Sequence, residues 1–203
     1  MKNNTKYDKI LDALQELLQD RSIQYISVSD IAKKAGIGKG SIYYYFPSKD
    51  AIVNALVERN YAKPLETAKD LAKQTDISPF TRMAMLFQAC RSSSLSFSKH
   101  KNETPENLQE QAYIHQKYLK YIISELKPSL SEIIQQGINS GEIHFDYPEE
   151  LAEIVLIILA VKLDNTLAPS TPDEIEKTIC ALISLLEKGT ENPTSSLDFL
   201  RAF

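Results

Sequence analysis

The sequence predicts an all-α protein. Apolar residues recur at helical spacing along most of the chain. The first such series follows the pattern i, i+1, i+4, i+7, i+8 and consists of Ile10, Leu11, Leu14, Leu17 and Leu18. Signals for helix starts are frequent, whereas the hairpin-forming dipeptides Asn-Gly and Asp-Gly do not occur in the sequence.

Helix boundaries follow from capping residues, prolines and glycines. Three hydroxyl residues stand directly before a proline that suits the first helical position, namely Ser78, Thr104 and Thr171. Gly141 and Gly189 follow amphipathic runs and predict helix ends. We expect about nine helices, with Pro128 kinking or dividing the seventh. Their expected spans are 6–20, 28–35, 39–45, 48–62, 64–75, 79–98, 105–139, 148–167 and 172–188.

The composition is that of a soluble globular protein, with 43% apolar and 25% charged residues among 203. The first ten residues contain no apolar stretch, so we expect no signal peptide. The longest apolar run, Ile154 to Val161, has eight residues and is too short to span a bilayer. We therefore expect a cytoplasmic protein with no membrane partner. Cys90 and Cys180 lie ninety positions apart and indicate neither a disulfide framework nor a zinc site.

The net charge of −4 conceals an asymmetry along the chain. Residues 1–62 carry nine Lys and Arg against seven Asp and Glu, a charge of +2, whereas residues 63–203 carry −6. A mildly basic head on an acidic body fits a protein that contacts phosphate with one end only.

Residues 27–46, SVSDIAKKAGIGKGSIYYYF, fit two short helices that cross at a steep angle. Such a crossing needs a small residue at the contact point, which Ala32 supplies. It also needs a sharp turn, which Gly36 allows because glycine adopts positive φ without steric cost. Ser27 and Asp30 form a capping-box pattern at the start of the first helix. The apolar side chains spaced to fill the angle are Ile31, Ala35, Ile37 and Ile42. This pattern predicts a helix-turn-helix, whose second helix enters the major groove of DNA.

The second helix of this motif, residues 39–45, is rich in groups that bond to DNA. Gly40 allows the backbone to approach the bases closely. Phe46 is expected to turn inward, Ser48 to cap the next helix, and Lys49 at that helix start to contact phosphate. The side chains expected to bond base edges or phosphates are those of Lys39, Ser41, Tyr43, Tyr44 and Tyr45.

The sequence between Ser27 and Ile52 resembles the N-terminal signature of TetR/AcrR-family repressors. The resemblance lies in the spacing of five short elements: Ile-Ala, Ala-Gly-Ile, Gly-Ser-Ile, Tyr-x-Tyr-Phe and Ser-Lys-Asp. The resemblance covers about fifty residues and departs at Tyr45, where the common form has His. In the body only the helix count and the stretch Gln136-Gly137-x-x-x-Gly141-Glu-Ile are similar. The implied contacts are Lys39, Gly40, Ser41, Tyr44 and Ser29 for bases, and Ser27, Tyr43, Tyr45 and Lys49 for phosphates.

The resemblance also implies an organisation and a function. It implies a three-helix, helix-turn-helix DNA-binding head over 1–47, a connecting helix over 48–62, and a larger helical ligand-binding and dimerisation domain over 63–203. The implied function is a homodimeric repressor that binds palindromic double-stranded operator DNA and is released by a small-molecule effector, with no cofactor.

A helical enzyme and a metal-sensing regulator are the alternatives. His100, His115 and His144 occur together with Cys90, but no HExxH, GxSxG or paired-cysteine pattern links them. We interpret each histidine as a surface or pocket residue. We therefore expect no catalytic residue and no metal ligand.

Aromatic and soft side chains are concentrated on the helices expected over 79–98 and 105–139. Core packing uses such residues, and so do pockets in helical bundles. We expect a ligand pocket here, lined by Phe87, Cys90, Tyr113 and Tyr121.

The run from Ile154 to Val161 is apolar on every side of its helix and must be covered all round. A second copy of the chain is the simplest cover for the face that its own body leaves open. The amphipathic helix at 172–188 is the expected companion in a four-helix interface. The residues expected there are Ile154, Ile158, Val161, Ile175, Ile179 and Ile183.

Overall fold

The computed structural model describes residues 5–97, 105–164 and 170–202, and their side chains except those of 91–115, 163–164 and 202. Every regular element in these ranges is helical, which confirms the all-α prediction. The described residues form eight α-helices and two short 3-10 helices. The α-helices are α1 Lys6–Asp20, α2 Val28–Ala35, α3 Lys39–Tyr45, α4 Lys49–Ala72, α5 Pro79–Phe97, α6 Pro105–Asn139, α7 Pro148–Asp164 and α8 Pro172–Gly189. The 3-10 helices are Ile23–Tyr25 and Asp198–Ala202.

The chain divides into two compact units. The head unit comprises the described parts of residues 1–60 and 100–118, and the body unit those of 61–99 and 119–203. The start of α6 therefore belongs to the head unit, although it is far from the head in sequence.

The head unit is organised around one apolar core to which α1, α2, α3 and the start of α4 contribute. Ile10 and Leu14 of α1, Ile31 of α2 and Ile42 of α3 are completely buried in it. Each fully buried aliphatic side chain contributes ~1.5–3 kcal/mol to folding. This core therefore fixes how the two short helices α2 and α3 cross, because neither is long enough to be stable alone.

α4 is one helix where the sequence predicted two. We had expected a break before Pro64, because proline lacks the N–H that bonds to the preceding turn. The helix nevertheless runs from Lys49 to Ala72 with Pro64 inside it. Tyr61, Leu65 and Ala68 are buried around the proline. Their burial, at ~1.5–3 kcal/mol for each large side chain, offsets the ~3 kcal/mol that an interior proline costs. α6 likewise continues through Pro128, which does not divide it.

The stretch Gln136-Gly137 forms a packed corner of the body unit. The amide of Gln136 donates to the carbonyl oxygen of Ala72 at 3.0 Å and accepts from the buried guanidinium of Arg82. The backbone N–H of Ile143 donates to Gly137 O at 3.1 Å, and the Ile143 side chain lies over the glycine. A Cβ on Gly137 would lie 2.6 Å from Ile143 Cδ1, so any larger residue at this corner would force the isoleucine side chain to move.

α7 and α8 carry exposed apolar side chains, but only part of the predicted dimer set lies at the surface. Ile154 is 49% exposed, and Ile158, Val161 and Ile175 are half-buried. Ile179 and Ile183 were expected at the interface, but each is 3% exposed because this side of α8 packs into the core of its own chain. Ile157 and Leu185, which the sequence analysis did not select, are 43% and 68% exposed.

The C-terminal residues 190–202, here called the tail, belong to the body unit, and their 3-10 helix contacts α8. Leu197 and Leu200 are buried, and the tail ends in the 3-10 helix Asp198–Ala202.

None of the described helices is both long enough and apolar enough to cross a membrane.

Candidate DNA-binding site

The first helix of the motif, α2, begins at the predicted capping box. The Ser27 hydroxyl accepts from the backbone N–H of Asp30 at 3.1 Å, and the Asp30 carboxylate accepts from the Ser27 N–H at 2.8 Å. Hydrogen bonding to the Ser27 hydroxyl and backbone holds the pKa of Asp30 below its usual range. The box therefore satisfies backbone donors at the start of α2 that would otherwise lack partners.

The turn between α2 and α3 has the predicted geometry. Gly36 lies in the left-handed region with φ 67° and ψ 33°. The N–H of Ile37 then donates to Ala32 O at 3.0 Å, which closes the end of α2. A side chain at position 36 would be strained, so the turn depends on glycine.

One side of α3 is buried and the other faces solvent. Ile42 is completely buried and Phe46, directly after the helix, is 4% exposed, which confirms the inward orientation predicted for Phe46. Tyr44 on the opposite side is 83% exposed, and Tyr43 is 50% exposed. The core thus holds α3 by one face and presents the other, with its hydroxyls, to the solvent.

The smaller predicted contact residues lie beside these tyrosines. Lys39 is exposed and has no ion-pair partner among the described residues, and Ser41 is half-buried. A Cβ on Gly40 would meet no atom within 4 Å, so the backbone there is open to a large partner. Ser27 and Ser29, at the start of α2, are also exposed.

Tyr7 is a residue of this site that the sequence analysis missed. Its ring lies 4.8 Å from that of Phe46 and 6.5 Å edge-on from that of Tyr45. Tyr45 also makes an edge contact with Tyr44, with centroids 5.0 Å apart. Such aromatic pairs restrict ring orientation. Tyr7 therefore positions Tyr45, and no local sequence signal pointed to this contact between α1 and the end of α3.

Lys49 has a different environment from the one predicted. Its ammonium group donates to Ile23 O at 2.8 Å and to Ile26 O at 3.0 Å, so it ties the start of α4 to the turn that precedes α2. Ser48 caps α4 as expected, accepting from Ala51 N–H at 3.1 Å. An ammonium has three N–H donors. Two of those of Lys49 are used within the chain, and the predicted phosphate contact would fall to the third.

Two family models match the chain. Residues 10–56 match the model described as bacterial regulatory proteins, tetR family, and residues 93–185 match the tetracyclin repressor-like C-terminal domain. The chain belongs to the TetR family. It is therefore a DNA-binding transcriptional regulator with a helix-turn-helix head, as the sequence motif predicted.

Individual relatives agree with this membership. The chain is 41% identical over 64 residues to the uncharacterized HTH-type transcriptional regulator YvdT of Bacillus subtilis, an alignment that spans 32% of this chain and only 33% of YvdT. It is 28% identical over 149 residues to the fatty acid metabolism regulator protein of the same species, covering 68% of this chain and 71% of that protein. The alignment with YvdT thus spans about a third of either chain, whereas the second alignment spans about two thirds of both.

A solved structure shows the same fold. SmeT, the repressor of the Stenotrophomonas maltophilia multidrug efflux pump SmeDEF, superposes with a TM-score of 0.67 at 15% identity, covering 94% of this chain and 92% of SmeT. At this identity the likeness concerns the fold alone.

Two further polar contacts brace the head of this TetR-family chain. Arg59 of α4 donates to the Asp12 carboxylate at 2.7 Å and to Gln15 at 2.9 Å, both on α1. Lys117 of α6 donates to the Asp50 carboxylate at 2.7 Å and to the Asn54 amide oxygen at 2.9 Å, both on α4. Neither contact was predicted, because its partners are separated by more than forty positions.

The four residues predicted to line a ligand pocket do not line a common cavity in the described part of the chain. Phe87 is buried, Cys90 and Tyr121 are half-buried, and the side chain of Tyr113 lies outside the described residues. Burial raises the pKa of the Cys90 thiol to about 12. Phe87 does border an apolar cavity, but neither Cys90 nor Tyr121 lines it. No group of three side chains suited to a metal ion occurs among the described residues.

Proposed function

We propose that this TetR-family regulator is a repressor that binds a palindromic operator as a homodimer and leaves it when a small molecule binds. The observation that carries the DNA-binding part is the division of α3 into a buried face around Ile42 and a solvent face around Tyr44. A helix held in this way presents fixed hydrogen-bonding groups to the major groove. We assign base contacts to Lys39, Gly40, Ser41 and Tyr44 with Ser29, and phosphate contacts to Ser27, Tyr43, Tyr45 and Lys49.

The experiment for DNA binding starts from a pool of random duplexes. The pure protein should select a palindrome with half-sites about one helical turn, ~34–36 Å, apart, or farther apart if the dimer is splayed. Ser41→Ala and Lys39→Ala should change the preference between sequences. Lys49→Ala should weaken binding to all sequences and flatten its salt dependence. Equal losses on every duplex for all three variants would contradict the assigned roles.

The homodimer is supported by the apolar side chains on α7 and α8. Ile154, Ile157 and Leu185 are 49%, 43% and 68% exposed in a single chain. Large apolar side chains that are exposed on two helices in contact with each other favour association. We expect light scattering to give a dimer at micromolar concentration, and Ile158→Asp to give a monomer because the charge would be buried unpaired. A wild-type monomer would contradict this part.

Release by a small molecule follows from linkage. A hundredfold weakening of operator binding requires a ligand whose binding free energy differs by ~2.7 kcal/mol between the DNA-binding and released forms. Operator DNA must then weaken ligand binding by the same factor. Titrating candidate ligands with and without operator tests this reciprocity. A ligand with equal affinity for both forms would not be the effector.

An enzymatic role for the body is the other candidate, and no arrangement of the described residues favours it. We propose that the chain acts by binding alone. Turnover of a ligand by the pure protein would contradict this.

A further inference from the structure

The body unit contains an apolar cavity next to the tail. Its walls come from α5, α6, α7 and α8, and the tail closes the remaining side. Its free volume is about 40 Å³, which is enough for a few water-sized atoms and not for an aromatic ring. None of the described residues that line it carries a charge, so an ionic ligand would find no partner there.

The tail contributes one wall that can be removed. The ring of Phe199 is stacked at 6.4 Å from that of Phe87 on α5, with an angle of 23° between the planes. Phe87 is 5% exposed, whereas Phe199 is only half-buried. Leu197 and Leu200 on either side are buried and hold the tail in place. If the half-buried Phe199 ring turned outward while the tail stayed docked, it would leave a flat apolar slot against Phe87.

A polar atom at the edge of this slot lacks a partner. Asn192 lines the cavity, and its Oδ1 atom is buried with no hydrogen-bond donor among the described residues. Its backbone is fixed, because its N–H donates to Glu187 O at 2.9 Å. A buried acceptor without a donor is unfavourable, so a ligand that supplies one donor gains free energy here. The other polar wall residue, Thr190, already donates its hydroxyl to Leu186 O at 2.6 Å.

The docked tail contains two features that are unfavourable for its conformation. Glu191 and Ser195 are the two non-glycine residues of the described chain with positive φ, at 52° and 70°. The Ser196 hydroxyl is buried without a partner among the described residues. Both features are unfavourable. A ligand ring stacked on Phe87 would replace the ring contact that Phe199 loses when it turns outward.

From these observations we infer that the cavity is a binding site for a small neutral aromatic molecule with one hydrogen-bond donor, of the indole or phenol type. The ligand ring takes the place of the Phe199 ring against Phe87, and its N–H or O–H donates to Asn192 Oδ1. The site shares only Phe87 with the pocket predicted from the sequence. Its use as the switch rests on the proposed function. Binding of the aromatic molecule is measured without DNA, so the site and the proposed regulatory function can fail separately.

Indole is the probe, because the chain contains no tryptophan and indole fluorescence can be excited at wavelengths where the ten tyrosines absorb little. We expect saturable binding of one indole per chain of the full-length protein. Phe199→Ala removes the competing ring and should tighten binding ~10-fold. Asn192→Leu should weaken indole binding ~3–10-fold while leaving 1-methylindole, which lacks the donor, unchanged. Met85→Ala, at an exposed position of α5 outside the cavity, is the matched control.

The outcomes separate the inference from its alternatives. Circular dichroism and thermal unfolding establish that each variant is folded. Absence of saturable indole binding in both the folded wild type and folded Phe199→Ala would overturn the site. An unchanged affinity in Phe199→Ala would overturn the exchange of rings. Equal losses of indole and 1-methylindole in Asn192→Leu would overturn the role of the amide. Binding of indole by a chain that selects no DNA would sustain the site and reject the proposed function.

Discussion

The ammonium of Lys49 lies 3.0 Å from the carbonyl oxygen of Ile26 and 2.8 Å from that of Ile23. Both acceptors belong to the turn between α1 and α2, and Ser27, which caps α2, follows directly. The lysine thus holds together the start of the motif and the start of α4, the helix that links the head to the body. Its position at a helix start had suggested a phosphate contact alone.

Lys49→Met should therefore lower the free energy of unfolding, in addition to any effect on DNA. Methionine keeps the aliphatic stem and removes the donors, so two partly buried carbonyls lose their partners at a cost of ~1–3 kcal/mol. Denaturant unfolding without DNA measures this loss. Lys39→Met, at an exposed lysine on α3, is the control and should leave stability unchanged. Equal stability of the two variants would show that the carbonyl contacts do not contribute.

Gly40→Ala should separate stability from DNA binding. A Cβ at this helical position would meet no atom within 4 Å, so alanine fits the folded chain. Alanine also restricts the unfolded chain, which should stabilise the protein by ~0.5–1 kcal/mol. If the backbone of α3 approaches the bases, the same methyl group weakens operator binding. Thermal unfolding and DNA titration of one preparation test both effects, and a variant with unchanged DNA affinity would place Gly40 away from the bases.

Local patterns predicted the head well because its determinants are local. The capping box of Ser27 and Asp30 and the left-handed Gly36 each involve neighbours within a few positions, and the structure has both. The prediction of a helix break at Pro64 was wrong. It considered one missing hydrogen bond and could not include the burial of Tyr61 and Leu65, which depends on residues far away in the sequence.

Contacts between residues that are far apart in the sequence could not be predicted either, because they depend on how the helices pack. The orientation of Tyr45 by Tyr7 depends on how α1 packs against the end of α3. Amphipathicity identified α8 as a half-buried helix, but it did not show which of its apolar residues face their own core. That is why Ile179 was assigned to the dimer surface while Leu185 was not.

The ion pair between Lys117 and Asp50 should stabilise the head unit measurably. The Lys117 side chain is 21% exposed and that of Asp50 is 49% exposed, so solvent screens the pair only in part. A double-mutant cycle with Lys117→Met and Asp50→Ala should give a coupling of ~0.5–1 kcal/mol in denaturant unfolding. The pair Lys177–Asp173, with both side chains at least 70% exposed, is the control and should couple less. Equal coupling in the two cycles would contradict a special role for Lys117.

Cys90 should be protected from thiol reagents. Burial raises its pKa to about 12 from 9.0, so at pH 8 the thiolate fraction is roughly a thousandfold lower than in the unfolded chain. Alkylation of Cys180→Ser with iodoacetamide should be slow in the folded state and fast in denaturant. Above pH 9 the unfolded chain releases this proton while the folded chain keeps it, so stability should fall as pH rises further. Rapid alkylation of the folded variant at pH 8 would contradict the burial of this thiol.

Gly137→Ala should be destabilising, and a second substitution should rescue it. The new Cβ would lie 2.6 Å from Ile143 Cδ1 and 3.1 Å from Pro79 Cγ, so the isoleucine must move. Overpacking of this kind costs ~1–3 kcal/mol. Ile143→Val removes Cδ1, the closest atom, and should recover a large part of that loss in the double variant, although alone it costs ~0.5–1.5 kcal/mol. Gly40→Ala, which has open space around it, is the matched control for the substitution itself. Strictly additive losses in the double variant would mean that the clash with Ile143 is not the reason why alanine is unfavourable at this position.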